Sequence, residues 1–191
     1  MRLYQWNTET SAAAMVELSH LEVAMRNAYV RRLSAKYPDW LSPSSKLWSR
    51  RIGDSKRRSG QQKPNEITLT RLKDAERGLR HSKTPDRIVA NTSLGLWCNL
   101  TDSSRESTTW TPILRSVYPP GTQRGEVHRM ALNINTFRKR VAHHEPLFSD
   151  RLQRFVVRCP VPGLVQWPEP LNQLPSNMLM ARSRYAGSQD V

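Results

Sequence analysis

The sequence predicts an all-α protein, a bundle of about four or five helices ending in a Pro-rich tail. Three observations lead there. Apolar residues recur at steps of three and four in several stretches, which is the period of one helix face. No stretch alternates apolar with polar residues over a convincing length, and the best strand candidate, Arg154 to Cys159, is short. Clusters of Pro, Ser and Gly separate the periodic stretches, and such clusters break helices.

Taken in order, Asn7 or Thr8 can cap a first helix that runs to about Lys36, with Pro38 ending it. Its apolar face reads Leu18, Leu21, Met25, Ala28 or Tyr29, and Leu33. Glu22 and Arg26 are four apart and are expected to pair across one turn, unless Glu22 instead orients an active-site base. Trp6 and Trp40 flank the helix as core or interface anchors. Leu41 to Asn65 is rich in Ser, Pro, Lys and Arg and reads as a basic loop. Asn65 or Thr68 then caps a helix to about Arg80, with Leu69, Leu72, Ala75 and Leu79 on one face.

Thr84-Pro85 is an N-cap followed by proline at the first helical position. The helix it opens carries Ile88, Val89, Leu96, Trp97 and Leu100, and Gly95 inside it points to close packing or a kink. Thr111-Pro112 opens a short helix through Leu114 to Tyr118, which Pro119-Pro120 closes. From Pro160 onward come Pro162, Pro168, Pro170 and Pro175, the signature of a loosely packed tail. The domain reading is therefore a helical domain over 1–158 and a tail over 159–191.

The densest polar cluster lies in Ala131 to Phe148. Upstream and within it, Val127, Met130, Ile134, Phe137 and Val141 form one apolar helix face, and Pro146 is expected to stop the helix. Arg138 and His143 lie off that face, about 140° apart on an ideal helix. They bracket a second face of Ala131, Asn135, Lys139 and Ala142, whose alanines allow close approach of another helix. One reading places Arg138 and His143 in a shared cleft completed by a second subunit. The other is that a basic helix end complements the negative end of the helix dipole.

Thirty Lys and Arg against sixteen Asp and Glu give a net charge of +14, which predicts attraction to polyanions, nucleic acid first among them. A local excess falls at Arg50, Arg51, Lys56, Arg57 and Arg58. Cys98 and Cys159 are far apart, show no metal-ligand spacing, and Cys98 sits in an apolar run as a buried thiol. His20, His81 and His128 read as isolated surface or packing residues. No metal or cofactor is expected. Met1 to Asn7 lacks the apolar core of a leader, and no apolar run has transmembrane length. The expected setting is a reducing cytoplasm, away from membranes.

Three ordered motifs carry a resemblance. Leu3-Tyr4-Gln5-Trp6-Asn7 precedes Leu21-Glu22-Val23-Ala24-Met25-Arg26-Asn27-Ala28. Asp86-Arg87-Ile88-Val89-Ala90 leads through Leu94-Gly95-Leu96-Trp97 to Trp110-Thr111. Arg138-Lys139-Arg140-Val141-Ala142-His143-His144-Glu145-Pro146-Leu147-Phe148 closes the set. Together they resemble the Abi-like proteins (abortive infection, AbiD/AbiF type) of the HEPN superfamily. The resemblance implies a HEPN-like helical bundle that pairs as a homodimer. It also implies a metal-independent endoribonuclease of a phage-defence or toxin type, with Arg138 and His143 lining a cleft at the dimer interface. An antitoxin or phage trigger follows by analogy. Lys139 departs from the family pattern, which usually has a small polar residue after the motif arginine.

The chemistry suits those residue types. RNA carries its own nucleophile, the 2′-hydroxyl. Histidine can remove that proton or supply one to the leaving 5′-oxygen, and arginine can grip two oxygens of the crowded phosphate. His143 is the expected acid/base and Arg138 the expected transition-state clamp, giving a 2′,3′-cyclic phosphate. His144 can substitute for His143 or hold it, Glu145 can orient either ring, and Lys139 and Arg140 would bind flanking phosphates. Glu22, Arg26 and Asn27 are supporting residues by the resemblance. The runner-up reading is an RNA-binding or regulatory protein in which the same cleft binds without cutting. A helix-turn-helix DNA binder is a third, without a clear recognition-helix unit.

Overall fold

The computed structural model describes residues 2–49 and 64–147. The strand candidate at Arg154 to Cys159, the Pro-rich tail and the cations from Arg50 to Arg58 lie outside the described residues. Among the described residues the regular structure is all helical, with no strand. The α-helices are α1 (Arg2–Lys36), α2 (Lys46–Ser49), α3 (Pro64–Arg77), α4 (Pro85–Ala90), α5 (Leu94–Asn99) and α6 (Arg124–Ala142). Shorter turns fill the stretch between α5 and α6: a 3-10 turn at Ser103–Arg105, a π turn at Glu106–Trp110 and a 3-10 turn at Leu114–Val117. None of these helices is long and apolar enough to cross a membrane.

The chain divides into two compact units, Glu22–Asn135 and Met1–Leu21 with Thr136–Val191. The Glu22–Asn135 unit is built on an aromatic core. Trp97 of α5 is fully buried and meets Tyr29 of α1 edge-on at 6.4 Å between ring centroids and Trp40 at 6.1 Å. Each indole N–H at the α1–α2 corner finds an acceptor: Trp40 Nε1 donates to Ser34 Oγ at 3.1 Å and Trp48 Nε1 to the Trp40 carbonyl at 2.7 Å. Tyr29 and Tyr118 share a hydroxyl–hydroxyl hydrogen bond of 2.5 Å. Burial pushes the Tyr118 phenol up to about 12, and burial together with the neighbouring Tyr118 raises Tyr29 well above its ordinary range. Both stay neutral at physiological pH, so this is a bond between two uncharged groups.

Arg105 is fully buried, which the linear sequence does not signal. Its guanidinium donates to Asn65 Oδ1 at 3.1 Å and Thr68 Oγ1 at 2.7 Å, both on α3, and lies 5.4 Å from the Trp48 ring centroid. Burial pulls its pKa down to about 10, partly offset by Asp102. The planar fork thus ties the turn after α5 to α3 and α2 at once.

Several boundaries differ from the sequence expectation, each for a local reason. The expected helix over 85–100 is two helices. Asn91, Thr92 and Ser93 interrupt it, because Asn91 Nδ2 donates to the Ala75 carbonyl at 2.7 Å and Thr92 Oγ1 to the Val89 carbonyl at 2.7 Å. Such side chains compete with the helix's own hydrogen bonds. Thr84 does precede α4 in extended conformation with Pro85 at its start, although its hydroxyl makes no cap bond. Gly95 marks close packing. Its carbonyl accepts from Arg71, and a Cβ there would lie 3.3 Å from Arg71 Nη1. Helix α3 stops at Arg77 rather than near Arg80, and the expected Leu41–Asn65 loop contains α2. The short helix expected from Thr111 is confined to Leu114–Val117, since the π turn ends with Thr111 N–H on the Glu106 carbonyl at 2.9 Å.

In the other unit, Ala14, Leu18 and Leu21 of α1 are buried, as are Phe137 and Val141 of α6 and Leu147 beyond it. Helix α1 begins at Arg2, so neither Asn7 nor Thr8 is its cap. Thr8 Oγ1 bonds back to the Tyr4 carbonyl at 2.9 Å, and Asn7 Oδ1 accepts the Leu147 N–H at 2.7 Å. The asparagine secures the chain after α6 to the start of α1. Because Leu147 is buried, removing its acceptor strands a backbone donor. Asn7→Ala is expected to lower stability by about 1–3 kcal/mol, read from urea unfolding. Asn7→Asp, which keeps an acceptor, should lose less.

Candidate functional site at the end of helix α6

The apolar stripe of α6 is buried at Val127, Ala131, Ile134, Phe137 and Val141, which leaves the polar residues of its last turns turned outward. Arg138 is half-buried; Lys139, Ala142, His143 and His144 are exposed. The helix ends at Ala142, four residues before Pro146. His144 stops it. It has φ of 54°, the left-handed region, and its N–H bonds to the Val141 carbonyl at 3.1 Å while Glu145 N–H bonds to the Arg140 carbonyl at 3.0 Å. Those paired bonds around one left-handed residue form a Schellman cap. Glycine usually holds that position, since a side chain there costs about 1–2 kcal/mol.

The cap rearranges the expected roles. Arg140 Nε donates to Glu145 Oε2 at 2.9 Å, and its Nη2 reaches the Pro146 carbonyl at 3.3 Å. The carboxylate expected to orient an imidazole is therefore engaged by Arg140, and the cation expected on a flanking phosphate braces the cap. Both are partly exposed, so the ion pair itself contributes little, about 0–1 kcal/mol. His143 stands at the first position past the helix with its ring open to solvent, and Arg138 lies five residues before it. Lys139 and Arg140 occupy the last turn, where cations also complement the helix dipole.

Of the supporting residues on α1, Glu22 is half-buried and Asn27 exposed. Arg26 directs its guanidinium to the Ala90 carbonyl at 3.3 Å, tying α1 to the end of α4. Among the described residues no group of three His, Cys, Asp or Glu side chains is arranged to hold a metal ion.

A second polar cluster lies at the start of α6, where His128 is not isolated as its sequence position suggests. Thr101 Oγ1 lies 3.0 Å from His128 Nδ1 and already gives its proton to the Cys98 carbonyl at 2.8 Å, so the ring nitrogen is the donor. His128 Nε2 is 3.8 Å from Asp102 Oδ2. Beside it Arg124 Nε bonds Glu106 Oε2 at 2.6 Å and Arg124 Nη1 the Thr101 carbonyl at 2.8 Å. The partners are 18 to 27 residues apart in sequence, so no local spacing announces them. The cluster fastens the first turns of α6 to the segment after α5.

Asp102 also caps the Ser103–Arg105 turn, accepting from Ser104 N–H at 2.9 Å and Ser104 Oγ at 2.6 Å. Burial opposes its ionisation, but the Ser104 bonds, His128 and Arg105 together hold the carboxyl below its ordinary range. A groove of about 410 Å³ lies against α3, lined by Leu41, Leu69, Leu72 and Ile88. Glu66 and Glu76 flank it against a single Lys73, which disfavours an anionic occupant.

A scan against protein-family models, a search of curated proteins and a search of solved structures each returned no match.

Two expectations follow. A carboxyl whose folded pKa is depressed adds stability above the unfolded value of about 3.9 and loses it as pH falls through the folded value. Asp102→Asn should therefore flatten the acid limb of stability against pH, measured by thermal unfolding between about pH 6 and pH 2. His144→Gly should raise stability by about 1 kcal/mol, read as a higher urea midpoint, because glycine takes the left-handed cap without strain.

Proposed function

We propose that this chain is a HEPN-type, Abi-like endoribonuclease. It cuts RNA through the 2′-hydroxyl without a metal, in the manner of a phage-defence or toxin protein. The observation that carries this reading is an exposed imidazole, His143, just beyond a helix that bears Arg138 five residues earlier, in a chain of net charge +14 whose regular structure is helical among the described residues. His143 moves the proton, and Arg138 stabilises the charge that gathers on the phosphate. The supporting case is chemical: an open ring can reach a ribose hydroxyl, and a guanidinium matches a trigonal-bipyramidal phosphate. The partner copy of a homodimer completes the cleft, and the setting is cytoplasmic. A phage trigger or antitoxin restrains the activity.

A specific observation favours a second reading, RNA binding without cleavage. Glu145 is engaged by Arg140 rather than by an imidazole, and Lys139 stands where the family motif usually has a small polar residue. One experiment separates the two. End-labelled RNA is incubated with wild type, Arg138→Ala and His143→Ala in the presence of a chelator. The nuclease reading expects wild-type products ending in a 2′,3′-cyclic phosphate. It expects rate losses of about 10²–10⁴ for His143→Ala and about 10²–10³ for Arg138→Ala. His144→Gly should keep the activity. Binding by all variants with cleavage by none would establish the second reading, and sedimentation of a clean monomer at high concentration would count against a shared cleft.

A further inference from the structure

The C-terminal half of α1 carries two exposed cations one turn apart, Arg32 and Lys36, and the fold brings a third, Arg115, to the same stretch of the helix. Two contacts determine where. Lys36 Nζ donates to the Pro112 carbonyl at 3.3 Å, and Tyr29 Oη meets Tyr118 Oη at 2.5 Å. Tyr29 and Lys36 are seven residues apart, about 10 Å along the helix. The 112–118 segment therefore runs back along α1, antiparallel to it. Arg115 lies three residues from either contact, which sets it alongside the turn of Arg32. The segment is anchored, since Tyr118 also packs on buried Trp110 at 5.4 Å between centroids.

Opposing charge is sparse in this strip. Among the described residues, none of these three cations makes an ion pair. The nearest carboxylate in sequence, Asp39, accepts a hydrogen bond from Ser45 Oγ at 2.9 Å. By contrast, two cations of the α3–α4 region are already paired, Arg77 with Asp74 and Lys83 with Glu76. Arg32 and Lys36 are one turn apart, about 6 Å. Two of the three are arginines, whose planar forks suit phosphate oxygens.

We propose that Arg32, Lys36 and Arg115 form a phosphate-tracking strip that holds the backbone of single-stranded RNA. It reads charge rather than sequence. This rests on the RNA reading above and adds to it a binding surface separate from Arg138 and His143.

The test measures affinity by fluorescence anisotropy over a range of salt, with a labelled 2′-O-methylated RNA that a 2′-hydroxyl nuclease cannot cut. Single-strand binding loses about 0.7 in the salt slope per phosphate contact removed. Arg32→Gln, Lys36→Gln and Arg115→Gln combined should lower the slope by about 2 and weaken binding roughly tenfold at low salt. A charge-matched control, Arg77→Gln, Arg80→Gln and Arg87→Gln combined, should change the slope much less. Arg32→Lys, Lys36→Arg and Arg115→Lys combined should keep most of it, with circular dichroism verifying the fold of every variant. Equal losses in the strip variant and the control would reduce the effect to net charge and overturn the proposal. So would an unchanged slope in the strip variant. If wild type binds and cuts RNA while the strip variant matches it, the strip alone falls. If wild type neither binds nor cuts, the RNA reading falls and takes the strip with it.

Discussion

The Glu22–Asn135 unit depends on the burial of Trp97. That one indole meets rings from α1 and from the corner after it, and the Tyr29–Tyr118 bond extends the same aromatic cluster to the 112–118 segment. Short helices such as α4 and α5 are too brief to be stable alone, and tertiary packing has to hold them. Truncating a buried tryptophan generally costs about 3–5 kcal/mol, a large part of a domain's net stability. Several polar groups around this core keep partners on burial: Trp40 and Trp48 find oxygens, and the Arg105 fork finds Asn65 and Thr68, whereas Trp97 Nε1 is buried without a hydrogen-bond partner. Neutral partners and an aromatic face compensate only part of the desolvation of Arg105, which is why its pKa is depressed.

Much of the helical framework was legible because burial imposes a period. Of the expected faces, Leu18, Leu21, Tyr29, Leu33 and Val127, Ile134, Phe137, Val141 are buried while Met25 and Met130 are half-buried, and Cys98 is the buried thiol the apolar run suggested. Boundaries were less legible, because they depend on partners far away in sequence. Asn7 resembles a cap residue, yet its oxygen is claimed by an amide 140 residues later. Asn91 interrupts a helix because the Ala75 carbonyl is within its reach. The buried position of Arg105 has no local signature, since its acceptors lie 37 and 40 residues upstream.

The candidate site shows the same division. Placing Arg138 and His143 at the end of one helix needed only the apolar period and the downstream proline. The left-handed turn at His144 was not legible, because histidine is an unusual occupant of a position that glycine favours. Nor was the engagement of Glu145 by Arg140, which follows from that turn. Charge is legible as a total but not as a pattern. The paired cations near α3 and the unopposed ones on α1 read alike in the linear sequence, and only the fold tells them apart.

The Cys98 thiol donates to the Ala131 carbonyl at 3.3 Å and is almost wholly buried. A small alkylating reagent can reach that sulfur only when the packing around it opens. The rate at which mass accumulates on the peptide containing Cys98, in otherwise native buffer, therefore times local opening of this contact. The protein thus carries an internal clock for the opening of its core around α5, readable without any substitution.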